Sequence, residues 1–367
     1  MKNKTKLLLL NDWMYGGGAE KSMAILANEL AATGKYDITL LMLENKLSFD
    51  LHESIKVKSF RDNYLFGVFG KLMTLFLDVF RLVNLIKSSN INVVLSFQHR
   101  SNLVNVMSKL MYENYKCIIS ERVYTKDFFQ DRGINKLFFN FMIKQFYKRA
   151  DVITCNAKDI KHGLNEFYNC SLAKIKVIEN AYDTEKIKTL GNEPLDEVDS
   201  ELFNGKKIII NVGRLEKQKG QEYLIRAFNL LENKNSYRLI ILGDGPLNKY
   251  LNDLIFELNL QEYVFLIGHK INPYKYLKNA DIFVFPSLYE GYPNALAEAM
   301  IFDNLKIISF DFKSGAKDLL GDNEYGCLVK IGDIYDLKEK IESETVHHKK
   351  KLNSLEVLLN EYKQIIG

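Results

Sequence analysis

The chain has 367 residues, 47% hydrophobic and 26% charged, with 50 Lys and Arg against 46 Asp and Glu. That is a globular composition on a chain too long for one ordinary core, so two domains are expected. No run approaches the roughly 18 apolar residues of a transmembrane helix, and the four cysteines (Cys117, Cys155, Cys170, Cys327) form no CxxC pair, which argues against a structural zinc or a disulfide framework and for a reduced, cytosolic compartment.

Residues 1–150 carry 22 Lys and Arg against 13 Asp and Glu, and residues 151–367 carry 28 against 33. An anionic partner on the N-terminal side fits this asymmetry, and so does a merely solvated basic surface.

In chain order, "KLLLLND" (6–12) reads as a first buried strand. Its apolar stretch is too short, and lacks the small-residue cleavage site, for a signal peptide. A Gly-rich turn then opens a helix that Gly34 closes. "YDITLLML" (36–43), "INVVLSF" (91–97), "KCIISER" (116–122) and "DVITCN" (151–156) are further strands. Strand–helix–strand repetition predicts βαβ units and a parallel sheet. Residues 65–89 and 134–150 are helical stretches rich in Phe, Leu and Met with interspersed Lys and Arg. Such helices lie either in a membrane interface or against a core with a charged edge in water.

The polar, acidic stretch 184–204 reads as a linker or exposed loop. Beyond it a second alternating set has strands at 206–214, 237–245, 263–269, 281–287 and 305–311, with helices at 220–232, 246–258, 273–279 and 293–302. The fold class is therefore α/β, two Rossmann-like doubly wound domains facing across a cleft. The expected division is 1–190, 191–350 and a C-terminal helix, 351–367, packing back toward the N-terminal domain.

Ligands of open α/β sheets bind beyond the carboxyl ends of the strands. "RLEKQKG" places Arg214, Lys217 and Lys219 there, just before a helix. Cations in that position suit a diphosphate, although a solvated turn carries the same residues. "SLYEGYPNALAEAM" (287–300) puts Glu290 at a strand tip, breaks the backbone at Gly291 and Pro293, and puts Glu298 about five residues into the next helix. An ionised carboxylate accepts hydrogen bonds from vicinal hydroxyls, as a ribose or hexose presents. Two carboxylates flanking a turn of backbone donors, opposite Arg and Lys, describe a nucleoside-diphosphate-sugar site. No Asp-x-Asp pair ends a strand, so no metal-bridged diphosphate is expected. "GGGAE" lacks the G-x-G-x-x-G spacing of a dinucleotide dehydrogenase.

The pattern "NVGRLEKQKG … LGDGP … IGHKINPYKYLKNADIFVFPSLYEGYPNALAEAM … SGAKDLL … YGCLV", with "GGGAEKS" and "ENAYD" (179–183) fitting more loosely, resembles the family-4 retaining glycosyltransferases of the GT-B fold. The resemblance covers most of 206–330 and looks most like bacterial members that build capsule, O-antigen (lipopolysaccharide) or glycan-repeat oligosaccharides. It implies that Arg214 and Lys219 hold the donor diphosphate, Glu298 the ribose hydroxyls, and Glu290 the transferred sugar. Gly291, Tyr292, Pro293, Asn294 and Ala295 supply contacts to that sugar and the phosphate. Gly17 and Gly18 match the loop that lets substrates approach the N-terminal domain, and Gly213, Gly243 and Lys270 complete the donor set. His99 sits where the family has a histidine near the donor sugar, and with Glu290, Arg214 and Lys219 it forms the catalytic set. The chain departs from the family at Ser314-Gly315-Ala316-Lys317-Asp318 and at Ala181, where Gly is common.

The implied activity is metal-independent, retaining transfer of a hexose or N-acetylhexosamine from a UDP-sugar to a polyprenyl-diphosphate-linked glycan in surface polysaccharide biosynthesis. No cofactor or nucleic acid is expected. The location is cytoplasmic, peripheral at the inner face of an anionic membrane. The alternatives are a catalytically inactive partner subunit that binds a nucleotide sugar or glycan, and a nucleotide-sugar 2-epimerase.

Overall fold

The computed structural model of the chain describes residues 4–61, 68–123, 133–313, 315–345 and 347–367. It divides into two compact units, Met1–Ala181 with Leu355–Gly367, and Tyr182–Ser354.

The first unit is built on a seven-stranded parallel sheet. Its strands are β1 (Thr5–Asn11), β2 (Tyr36–Met42), β3 (Lys56–Ser59), β4 (Val93–Phe97), β5 (Lys116–Glu121), β6 (Val152–Cys155) and β7 (Ile175–Val177). They lie in the order β3-β2-β1-β4-β5-β6-β7. Leu7, Leu8, Leu9 and Leu10 of β1 are all completely buried. A strand covered on both faces needs a continuous apolar run rather than an alternating one, and each such leucine contributes roughly 2 kcal/mol of burial. The helix Gly18–Ala32 buries Met23, Leu26, Ala27, Leu30 and Ala31, one face at helical spacing. The short strand β3, "KVKS", is fully exposed at the sheet edge, where its two lysines discourage further strand pairing. Its polarity hides it from a reading based on apolar runs.

The second unit has a six-stranded parallel sheet of β8 (Lys207–Val212), β9 (Tyr237–Leu242), β10 (Val264–Leu266), β11 (Ile282–Phe285), β12 (Lys306–Phe310) and β13 (Cys327–Val329). Its order is β10-β9-β8-β11-β12-β13. In both units the direction of winding reverses beside the first strand, at β1/β4 and at β8/β11. That reversal opens the crevice in which doubly wound sheets bind ligands.

Two expectations change. The segment 184–204 is not a plain linker. Asp183 caps the helix Thr184–Gly191 by accepting from the Lys186 N–H, and Ile187 is buried in the second core. Asp199, 6% exposed, receives the Tyr276 hydroxyl at 2.6 Å. The division therefore falls after Ala181 rather than after 190. The return falls at Leu355 rather than 351, where the helix Leu355–Ile366 starts. That helix places Leu358, Tyr362 and Ile366 in one core with Leu7, Leu9 and Leu26 of the first unit. Of the two Phe-rich stretches, the helices Val68–Ser89 and Gly133–Phe146 are seen, while 65–67 lie outside the described residues.

Candidate active site

In the second unit the crevice is furnished by the turns after β8 and β11. Lys219 ends a single 3-10 turn, and Gly220 follows in the left-handed region at φ 65°. A Cβ at Gly220 would stand 2.0 Å from the Pro286 carbonyl oxygen. Only glycine lets the β8 turn touch the β11 turn there. The contact brings Lys219 Nζ to 2.6 Å from Glu290 Oε1, with side chains 19% and 9% exposed. Nζ also lies 5.5 Å from the centre of the Phe285 ring. Gln218, which lies unremarked inside "EKQKG", donates from Nε2 to the Tyr289 carbonyl at 2.8 Å and to Glu290 Oε2 at 3.3 Å. Its own carbonyl receives the Leu288 N–H. Glu290 is thus a buried carboxylate held by a cation and an amide, at the switch point of the sheet.

Beyond Glu290, Pro293 caps the helix Asn294–Ala299. Tyr292 is 7% exposed and Glu298, in the last turn, 9%. Asn294 Oδ1 receives the Tyr182 hydroxyl at 2.9 Å, which ties "ENAYD" to this turn. Gly315, at φ 116°, packs so that a Cβ would meet Pro293 Cδ at 2.6 Å. The "SGAKD" and "GYPN" turns therefore touch; Ser314 lies outside the described residues. Gly213 and Gly243 meet at the mouth of β8 and β9, where a Cβ on Gly243 would lie 2.0 Å from the Gly213 carbonyl oxygen. Ala295 packs against the core from the same helix.

Two of the expected donor residues stand apart from the Lys219–Glu290 pair. Arg214 has a side chain 72% exposed, 3.3 Å from Glu216 Oε1. Lys270 lies 2.6 Å from Asp199 and 3.9 Å from Asp196. Among the described residues no cluster of three or more His, Cys, Asp or Glu is placed to hold a metal ion.

In the first unit the turns after β1, β4 and β5 converge. Gly17 precedes the helix that begins at Gly18, and a Cβ on Gly17 would stand 2.0 Å from a Glu20 carboxylate oxygen. The bare glycine leaves room for that carboxylate. Glu20 is 4% exposed, and burial raises its pKa. It receives Gln98 Nε2 at 2.6 Å. Gln98 itself has φ 73° and ψ 154°, a conformation nearly reserved for glycine and costing a non-glycine residue about 1–3 kcal/mol. His99 follows as the first residue of the helix His99–Met111. The first turn of that helix is pinned by Asp12 at the end of β1, which accepts from the Ser101 N–H at 3.0 Å and from its hydroxyl. Burial raises the Asp12 pKa. Below, Arg100 bridges Asp78 at 2.8 Å and Glu44 at 3.6 Å, and burial lowers its pKa to about 10. His99 Nδ1 lies 2.9 Å from Glu121 Oε2 at the end of β5. Glu20, Gln98 and Glu121 were missed in the sequence. Their available signal was their place just beyond strand ends or in the Gly-rich turn.

Two Rossmann-like parallel sheets, each furnished at its switch point, are the architecture of the GT-B glycosyltransferases. The chain belongs to glycosyltransferase family 4: residues 16–186 match the model "Glycosyltransferase Family 4", residues 193–353 match "Glycosyl transferases group 1", and a full-length relative shares nearly a third of its sequence. That relative is the N-acetylgalactosamine-N,N'-diacetylbacillosaminyl-diphospho-undecaprenol 4-alpha-N-acetylgalactosaminyltransferase of Campylobacter jejuni, 31% identical over 86% of this chain and 83% of that protein. A second protein of the same organism, GalNAc-alpha-(1->4)-GalNAc-alpha-(1->3)-diNAcBac-PP-undecaprenol alpha-1,4-N-acetyl-D-galactosaminyltransferase, is 25% identical over 90% of this chain and 86% of its own length. Among solved structures, Anabaena HepE in complex with UDP and glucose matches with a TM-score of 0.77 at 16% identity, covering 98% of each chain. That likeness supports the fold.

Proposed function

We infer that the protein transfers an N-acetylhexosamine or hexose from a UDP-sugar, with retention, to a polyprenyl-diphosphate-linked glycan in surface polysaccharide biosynthesis. The observation that carries this reading is the Lys219–Glu290 pair at the switch point of the second sheet. An ammonium has three N–H donors, so its bond to Glu290 does not exhaust it. Lys219 takes the charge that develops on the departing diphosphate, Glu290 meets the transferred sugar, and Glu298 accepts from the ribose hydroxyls. Arg214, exposed on the same turn, swings onto the diphosphate from its contact with Glu216. Both Campylobacter relatives move N-acetylgalactosamine by their names, which favours an N-acetylhexosamine and a lipid-linked acceptor.

Retention follows from attack on the face the leaving group departs. The anomeric carbon–phosphate oxygen bond breaks, the acceptor oxygen bonds to that carbon, and the acceptor proton passes to the leaving phosphate. The acceptor hydroxyl stands about 3–3.5 Å from the anomeric carbon for this step. Cationic side chains and backbone donors supply the electrophilic help, so no metal or cofactor is required. Calorimetry with UDP, GDP, ADP and CDP, with and without EDTA, tests the donor class. The expected result is UDP binding indifferent to EDTA. Binding lost in EDTA reveals a metal requirement, and absence of nucleotide binding overturns the reading.

A lipid-linked acceptor calls for work at a membrane, and the helix Val68–Ser89 offers a face for it. Met73, Phe76, Leu77 and Phe80 are 51%, 50%, 43% and 54% exposed at i, i+3, i+4, i+7 spacing. Arg81 and Lys87 continue that face toward the C-terminal end. Among the described residues no helix is long and apolar enough to cross a membrane. An apolar stripe rimmed by cations suits peripheral contact with anionic lipid at the cytoplasmic face. Flotation with anionic vesicles is expected to carry the protein at low salt and to weaken roughly tenfold for Phe76→Ser with Phe80→Ser. Failure to float at low salt overturns the membrane assignment.

A further inference from the structure

We propose that Glu121 is a positioning residue that fixes the tautomer of His99, so that the imidazole presents an acceptor nitrogen to a sugar hydroxyl. The inference rests on the glycosyltransferase reading and extends it to a residue that does not itself touch substrate. Glu121 is completely buried at the carboxyl end of β5. Its Oε1 receives the backbone N–H of Arg122 at 3.0 Å and of Val123 at 3.3 Å. Its Oε2 receives the Tyr147 hydroxyl at 3.1 Å and faces His99 Nδ1 at 2.9 Å. Tyr147 is itself completely buried. Burial first, and then the Glu121 charge, push its pKa well above the ordinary phenol value. It therefore keeps its proton and donates it to Oε2. Asn102 Nδ2 reaches the same hydroxyl at 3.4 Å and the Ser120 carbonyl at 2.9 Å.

This network leaves the carboxylate one role toward the imidazole. The Nδ1–Oε2 contact has an ion-pair distance without hydrogen-bond alignment; a carboxylate that close favours hydrogen on Nδ1, and in the neutral ring the lone pair then resides on Nε2. The ring's position is set from the other side as well. The strained backbone of Gln98, bonded through Nε2 to Glu20, delivers His99 at the head of its helix, and Asp12 holds the next turn through Ser101. A buried carboxylate is expensive unless its bonds are satisfied, and strain is kept where the surroundings over-determine it. A hydrophobic core at this point would need neither. Both features converge on one imidazole at the switch point of the first sheet, where a ligand-facing residue is expected.

The test uses the full-length protein labelled with [15N]histidine, with His99→Asn assigning the resonance. Wild type is expected to show His99 as the Nδ1–H tautomer without any ligand. Glu121→Gln is expected to mix the tautomers and to lower kcat about 10-fold or more, the scale on which carboxylate partners of histidine act, with nucleotide affinity unchanged. Tyr147→Phe, which keeps the ring and removes only a competing donor to Oε2, is expected to retain the Nδ1–H tautomer. An Nε2–H tautomer in wild type overturns the proposal. So does a Glu121→Gln protein that melts at a lower temperature yet keeps the wild-type tautomer and kcat per folded molecule. The tautomer is read without substrate. A wild-type protein with the expected tautomer but no transferase activity therefore counts against the functional reading and not against the Glu121–His99 pair.

Discussion

Replacing Lys219 by alanine is expected to lower turnover roughly 10²–10³-fold, the loss seen when one preorganised charge-stabilising donor is removed. The lysine serves two charges. At rest it stands 2.6 Å from Glu290, whose side chain is only 9% exposed. On the proposed function it faces the diphosphate during transfer, as negative charge grows on the leaving oxygen. Without it Glu290 loses its cation and retains the neutral Gln218 amide at 3.3 Å. A carboxylate stripped of its buried cation is destabilised by about 3 kcal/mol. The variant should therefore melt at a lower temperature as well as turn over slowly. Initial rates with saturating donor, set beside thermal melts of the same samples, separate the two effects. A folded Lys219→Ala protein with near-wild-type kcat removes the phosphate assignment.

Glu298→Ala is the second large effect, and it falls on binding. The carboxylate is buried in the last turn of the helix Asn294–Ala299. Hydrogen bonds to a charged group contribute about 1.5–3 kcal/mol, so UDP affinity is expected to fall roughly 10- to 100-fold. The same calorimetry run with 2'-deoxy-UDP completes a double cycle. If Glu298 holds the ribose hydroxyls, wild type loses affinity for the deoxy nucleotide and Glu298→Ala loses little further. Additive losses place the carboxylate elsewhere. Glu298→Gln keeps the shape and one acceptor, and an intermediate loss is expected.

Several elements are legible in the residues themselves. The unbroken apolar runs of β1, β8 and β11 announce strands buried on both faces, and their alternation with amphipathic segments announces parallel doubly wound sheets. The spacing of Glu290, Pro293 and Glu298 announces a strand tip, a helix start and a carboxylate one turn on, because strand and helix each have a fixed geometry. The stretch 184–204 failed for the opposite reason. Its few apolar residues conceal a capped helix, and Asp199 is buried through partners some 70 residues away, Lys270 and Tyr276.

The sequence alone determined which residues stand just beyond the strands, since periodicity and turn chemistry are local properties of the chain. Only the tertiary structure decided who meets whom. Lys219 joins Glu290 across 71 residues, Arg214 stays on Glu216, and Lys270 goes to Asp199. Gln98 is strained against Glu20 across 78 residues, and Glu121 closes on His99. The last helix returns its Leu358, Tyr362 and Ile366 to the core of the first unit. Those pairings depend on strand order and on close backbone approaches such as Gly220 on Pro286. Strand order is set by the packing of whole layers, which no window of the sequence contains.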